Sequence, residues 1–177
     1  MMSGTEEDSM GIRATTAAAA GLMVWAVATM GCSAPTSTPV AASAPAAEAY
    51  VPGLGEIMSL QQMRHAKLWF AGQAANWELA AYEVDELGEG FDDVVRLHPT
   101  HKDSPLAPKD AVPRMMTTPL ADVRRAIARH DATAFTAAYD ELTTACNACH
   151  RATNFAFNRV RRPATNPYPN QAFEPGE

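Results

Sequence analysis

The stretch Ala132-Thr133-Ala134-Phe135-Thr136-Ala137-Ala138-Tyr139-Asp140-Glu141-Leu142-Thr143-Thr144-Ala145-Cys146-Asn147-Ala148-Cys149-His150-Arg151-Ala152-Thr153-Asn154 decides the fold. Phe135, Ala138, Leu142, Cys146 and Cys149 recur at three- and four-residue steps, the period of one helix face and not the two-residue alternation of a strand. The same period runs upstream. Ile57, Gln61, Arg64, Leu68, Gly72 and Ala75, bordered by Met58 and His65, predict a first helix over about residues 55–75. Asn76 is a good N-cap for a second, whose seam is Ala80, Val84, Leu87, Phe91, Val94 and Val95. Gly88 and Gly90 inside that seam each cost about 1 kcal/mol relative to alanine, which leaves room for a kink or an early end there.

Residues 97–117 hold Pro99, Pro105, Pro108 and Pro113, which remove backbone donors and push their predecessors out of the helical region. They read as a long crossover loop. Thr118-Pro119 then forms a cap and first-turn pair for a short third helix with Leu120, Val123 and Ile127 on its buried stripe. His130-Asp131 separates it from the fourth. No segment alternates long enough to be a strand, so the expected class is all-α, an antiparallel four-helix bundle over residues 50–162 with an irregular tail over 163–177.

Cys146-Asn147-Ala148-Cys149-His150 has the C-x-x-C-H spacing of c-type haem attachment, in which two thiols add to the porphyrin vinyls and the histidine ligates iron. On a helix these residues stand at i, i+3 and i+4, so both sulfurs and the imidazole leave from one side and can grip one flat macrocycle. The expected cofactor is one covalent haem c, with His150 as axial iron ligand. Two other chemistries compete for the same cysteines. A redox dithiol wants its pair at a helix N-terminus after a strand, where the dipole lowers the thiol pKa, and this pair lies far along a helix. A zinc or copper site without haem needs a second ligand pair, which His98 and His101 can supply from the proline-rich loop.

The rest of the chain bounds where such chemistry takes place. With 177 residues, 47% of them hydrophobic, one domain with a core is expected. The formal charge of −6 leaves no basic field for a phosphate backbone, so nucleic acid is excluded as a partner. From Ala14 to Gly31 the residues are nearly all apolar or small, the core of a signal peptide over residues 1–31. Glu6, Glu7 and Asp8 have the wrong sign for an export leader, and a start at Met10 leaves Arg13 alone ahead of the apolar run.

Met30-Gly31-Cys32-Ser33 resembles a bacterial lipobox, which implies acylation of Cys32 and a lipid anchor in a membrane. An uncleaved anchor helix and plain signal-peptidase cleavage are the alternatives, and all three export the domain. Residues 32–49 are Ala, Pro, Ser and Thr with no periodic face, a tether. The three cysteines are then all assigned: Cys32 to lipid, Cys146 and Cys149 to haem.

The run Phe135-x-x-Ala138 through Leu142, Ala145 and Cys146-x-x-Cys149-His150 resembles the C-terminal helix of the cytochrome c′ and cytochrome c-556 family, the class II c-type cytochromes. The likeness covers about residues 55–154 and implies a four-helix bundle with haem bound near its C-terminus. That family often carries an arginine in the first helix with the distal residue four positions later, a pattern that Arg64-His65-Ala66-Lys67-Leu68 fits. The resemblance thus implies Leu68 over the distal haem face and Arg64 near a propionate. Asn154 stands where the family frequently has a basic residue, and Arg151, Arg159, Arg161 and Arg162 are available in its place. Members commonly pair through their first two helices, so a homodimer is among the implied assemblies.

Iron's sixth position decides between two functions. With Leu68 distal, iron is five-coordinate under an apolar lid and binds or senses nitric oxide or carbon monoxide. With a donor side chain distal, the ligand set changes little between oxidation states and the protein carries single electrons between redox partner proteins on the periplasmic side of the membrane. Donors within reach are His65, Met63 and Met58, and the bland roles are a hydrogen-bonded or partly exposed His65 and methionines that fill core. His98, His101 and His130 read as solvated loop residues, and the arginines at 159–162 as a solvated tail or as partners of the haem propionates. No acid/base pair, nucleophile with its base or glycine-rich phosphate loop occurs as a local motif, so no enzymatic turnover is expected.

Overall fold

A computed structural model describes residues 49–176. The expected signal segment, Cys32 and nearly all of the tether lie outside the described residues. Four α-helices follow in chain order: α1 (Leu54–Gln73), α2 (Trp77–Leu97), α3 (Pro108–Ala128) and α4 (Ala132–Ala152). No strand occurs among the described residues. The all-α four-helix bundle stands, with two corrections to its elements.

The helix starts are set by side chains that satisfy free amides. Asn76 accepts from the Leu79 amide at 3.1 Å, and Asp131 accepts from those of Thr133 and Ala134 at 3.1 and 2.9 Å. Both fall in three-residue connections, which force neighbouring helices to run antiparallel.

The first correction concerns Gly88 and Gly90, which do not end α2; the helix runs through them to Leu97. At Gly90 the reason is a close approach. A Cβ there would fall 2.3 Å from Gln61 Oε1 and 2.7 Å from Arg64 Nη1. The missing side chain lets Gln61, buried on α1, donate to the Leu87 carbonyl at 2.7 Å.

The second correction is α3, which begins at Pro108, ten residues before the expected cap at Thr118. Pro108 takes the first helical turn, where an amide would have no partner anyway. Pro113 and Pro119 lie inside the helix, each at a cost of about 3 kcal/mol. Against this stands burial of Val112, Met116, Leu120, Val123 and Ile127 on one stripe, worth roughly 1.5–3 kcal/mol per side chain. The stripe outweighs the two prolines, and Pro113 itself faces solvent.

Packing runs around the ring from α1 to α2 to α3 to α4, and α4 closes back on α1 through the thinnest of the four seams. The core includes Leu68, Trp69, Val84, Leu87, Val94, Met116, Val123, Phe135, Tyr139 and Leu142. The tail is irregular, as expected, but one part of it is not solvated. Phe173 is buried against Phe70 with ring centroids 5.5 Å apart, and the Glu174 carbonyl accepts from Asn76 Nδ2 at 3.2 Å. Among the described residues no helix is long and apolar enough to cross a membrane.

Candidate cofactor site

The thin seam between α1 and α4 has a single antiparallel register. Near the C-terminal end of α1, Gly72 lies so close to Phe135 that a Cβ would sit 2.0 Å from its ring. Two turns back, His65 meets Tyr139 and Thr143. At a rise of 1.5 Å per residue in both helices, the same register brings Met58 level with Cys149. The ring side chains end at Tyr139. Beyond it the seam opens into a cavity of about 300 Å³, walled by all four helices and the segment after α4.

Cys146, Cys149 and His150 all line this cavity, together with Met58, His65, Phe91, Met116 and Leu142. Neither cysteine is in a disulfide. Burial pushes the Cys146 thiol up to about 12, helped by the neighbouring Cys149, and raises Cys149 as well. Both sulfurs are therefore protonated thiols at neutral pH, unlike the thiolates of a redox dithiol.

His150 is oriented from outside the cavity. Its Nδ1–H donates to the Asn158 carbonyl at 2.6 Å, which fixes the tautomer and leaves the lone pair on Nε2. That carbonyl is positioned by Asn147, whose side chain grips Val160 twice: Nδ2 donates to the Val160 carbonyl at 2.8 Å, and Oδ1 accepts the Val160 amide at 2.9 Å. A spacer residue of the C-x-x-C-H run thus ties the returning chain to α4 and with it the hydrogen bond to the histidine.

His65 is buried and both of its nitrogens are engaged. The Thr143 hydroxyl donates to the Tyr139 carbonyl at 2.9 Å, so its oxygen accepts from His65 Nε2–H, also at 2.9 Å. The Tyr139 hydroxyl lies 2.9 Å from both Nδ1 and the carbonyl of His65. Burial lowers the His65 pKa to about 4, so the ring is neutral. Of the two roles open to it, the hydrogen-bonded histidine is the one the geometry favours, because ligation through Nε2 would break the contact with Thr143.

The other expected site residues divide. Leu68 is fully buried one turn toward the closed end of the seam and does not line the cavity. Arg64 is likewise off the cavity wall; its guanidinium donates to Glu86 at 2.6 Å and to Gln61 at 3.1 Å. The α1 residues that do face the cysteines lie earlier, Met58 among them. Met63 does not line the cavity.

His98 and His101 are not solvated loop residues. His98 Nε2–H donates to the Pro52 carbonyl at 2.8 Å, and His101 packs on Phe155 with ring centroids 5.7 Å apart. His130 stacks on Trp77. Among the described residues no three His, Cys, Asp or Glu side chains gather as a metal-holding group, so the Cys2His2 set is not assembled. Of the tail arginines, Arg162 pairs with Asp140 and lies 4.3 Å above the Trp69 ring, while Arg159 and Arg161 are exposed.

Sequence reasoning missed Tyr139, Thr143, Asn147 and Asn158. Tyr139 was legible, since it stands four residues after Phe135 and seven before Cys146 on the buried face. The roles of Asn147 and Asn158 depend on where the chain turns after α4, for which no local pattern gives a signal. No protein-family model, curated protein or solved structure matches the chain.

Proposed function

We propose that this protein is an exported c-type monohaem cytochrome that carries single electrons. The observation that carries the reading is the cavity at the open end of the α1–α4 seam. Two free thiols, a histidine with its Nε2 lone pair available, and apolar walls meet there. This donor set fits haem c: Cys146 and Cys149 would hold the porphyrin, and His150 would hold the iron through Nε2. The bound group supplies a one-electron couple. The chain's own residues orient His150 through Asn158, keep the thiols protonated until attachment, and line the pocket with apolar side chains that exclude water.

Met58 is the α1 side chain that would hold the group from across the cavity. It is half-buried at the height of Cys149, whereas Met116, the other thioether on the wall, is sealed within the core. His65 is held by its two hydrogen bonds, and Leu68 is off the wall, so the apolar lid of a five-coordinate gas binder lacks its leading residue. A histidine–methionine pair favours electron transfer over ligand binding and raises the potential.

Acylation of Cys32 would place the domain on the periplasmic side of a bacterial membrane, within reach of redox partner proteins. The reading includes no catalytic turnover. Its test is the absorption spectrum of the purified protein in both oxidation states, with and without nitric oxide. A sharp low-spin spectrum insensitive to the gas is expected, turning high-spin and gas-binding in Met58→Ala. A wild type that is already high-spin and binds the gas identifies a sensor instead, and no Soret band at all removes haem from the account.

A further inference from the structure

Charge on this molecule is segregated, and the segregation points at the cavity. From residue 142 to residue 173 the chain carries Arg151, Arg159, Arg161 and Arg162 and not one aspartate or glutamate, although acids outnumber basic residues 20 to 14 over the whole sequence. Helix α2 is the reverse: Glu78, Glu83, Asp85, Glu86, Glu89, Asp92 and Asp93 stand against Arg96 alone. Packing passes from α1 to α2 to α3 to α4 and back to α1, which puts α2 and α4 on a diagonal of the bundle. One corner is acidic; on the opposite one α4 carries Asp140 and Glu141 before the cysteine run, and the basic part is the C-terminal end of α4 and the turn after it.

The basic corner is uncommitted. Arg151, Arg159 and Arg161 are exposed, and none of them forms an ion pair among the described residues; Arg162 alone is paired, with Asp140. Beside them the turn after α4 presents Phe157 with 81% of its surface in solvent, while the next residue, Asn158, holds His150. A bare aromatic ring among unpaired guanidinium groups combines the two residue types most enriched at protein interfaces. Cations set around an apolar centre also steer an oppositely charged surface into one orientation.

We propose that this face, formed by Arg151, Phe157, Arg159 and Arg161, is the docking surface for an acidic redox partner protein. The inference rests on the electron-carrier reading and gives that reading a direction: electrons leave past His150. An anionic bilayer would match the same charges, but it accepts no electron, and it would cover the side of the molecule from which transfer is shortest.

The test uses the haem-loaded protein, reduced, and two small oxidants of opposite charge, hexacyanoferrate(III) and hexaammineruthenium(III). In each reaction one electron passes from the iron to the oxidant. At an ionic strength near 0.01 M the anionic oxidant should react faster than its driving force alone allows, and this advantage should fall as salt is added, despite the chain's negative net charge. Arg159→Gln with Arg161→Gln should slow the anion by roughly tenfold at low salt, speed the cation, and leave both rates unchanged at high salt. A plant-type ferredoxin, as an acidic protein probe, should broaden backbone resonances of residues 150–162 in the wild type and not in the double variant.

Rates governed by the net charge, with the cation favoured and the double variant indistinguishable from wild type, overturn the surface while the haem spectrum keeps the carrier reading intact. Association with phosphatidylglycerol vesicles in place of the ferredoxin also overturns it, in favour of a membrane contact. A chain without haem shows no change of a Soret band with either oxidant, whatever its two free thiols reduce, and in that case the carrier reading fails first.

Discussion

The α1–α4 seam has two ends built on one register and used in opposite ways. At the closed end Gly72 admits Phe135 to the helix backbone, and Trp69, Phe135 and Tyr139 fill the space with rings whose centroids lie 4.9 to 6.4 Å apart. At the open end the same helices present Gly55, Met58 and Ser59 across from Cys146, Cys149 and His150, and no large ring occupies the gap between them. The closed end stabilises the fold, and the open end is left for a ligand. His65 marks the boundary: a neutral imidazole bonded to both Tyr139 and Thr143, with its edge on the cavity wall. The difference teaches that a cofactor site in a bundle can be made by withholding bulk from a seam that is otherwise completed.

Breaking the closed end should have the largest effect on stability and none on the chemistry of the open end. Phe135→Ala leaves a cavity under Trp69 and Gly72 and should cost about 3–5 kcal/mol in urea unfolding. Because Cys146, Cys149 and His150 lie beyond Tyr139, the protein that remains folded should still attach its cofactor. Equal loss of both would mean that the two ends are one cooperative site.

The boundary residue makes a pH-dependent prediction. His65 has its folded pKa lowered to about 4 by burial, against about 6.5 when unfolded, so the unfolded chain binds the extra proton between these values. Stability should therefore be full above about pH 6.5 and fall as the pH drops toward 4, by about 3 kcal/mol in all. His65→Gln keeps a donor and an acceptor without a titrating group, and the difference between the two melting curves across that range isolates the effect. Parallel curves would show that His65 is not neutral in the folded protein.

The smallest expected effect belongs to the open end. Asn147→Ala removes both hydrogen bonds to Val160 and should destabilise the turn after α4 by about 1–2 kcal/mol, read as faster amide exchange over residues 155–160 with the bundle core unchanged. In the loaded protein the same variant should loosen the Asn158–His150 hydrogen bond and shift the reduction potential. Unaltered exchange at Val160 would mean that the returning chain is held by other contacts.

The bundle was legible in the sequence because its seams repeat every three or four residues, and because Asn76 and the His130-Asp131 break punctuate them. The start of α3 was not. A proline-rich run argues for a loop on local grounds, and only the burial of Val112 and Met116 against the other helices reverses it. Which first-helix residues line the cavity was not legible for a related reason: helical spacing shows which residues share a face but not how far along the partner helix each one lies. That height is set by the register of Gly72 on Phe135, a contact between residues far apart in the chain. Cys146, Cys149 and His150 needed no such information, since a helix alone brings residues at i, i+3 and i+4 to one side.

Mass spectrometry and an absorption spectrum of this chain, exported from a host with haem-maturation machinery, decide whether haem is attached. The mass of one haem is expected on the fragment that holds Cys146 and Cys149, with a low-spin Soret band in the intact protein. Two cysteines that remain free to react with an alkylating reagent, in a colourless protein, would contradict it.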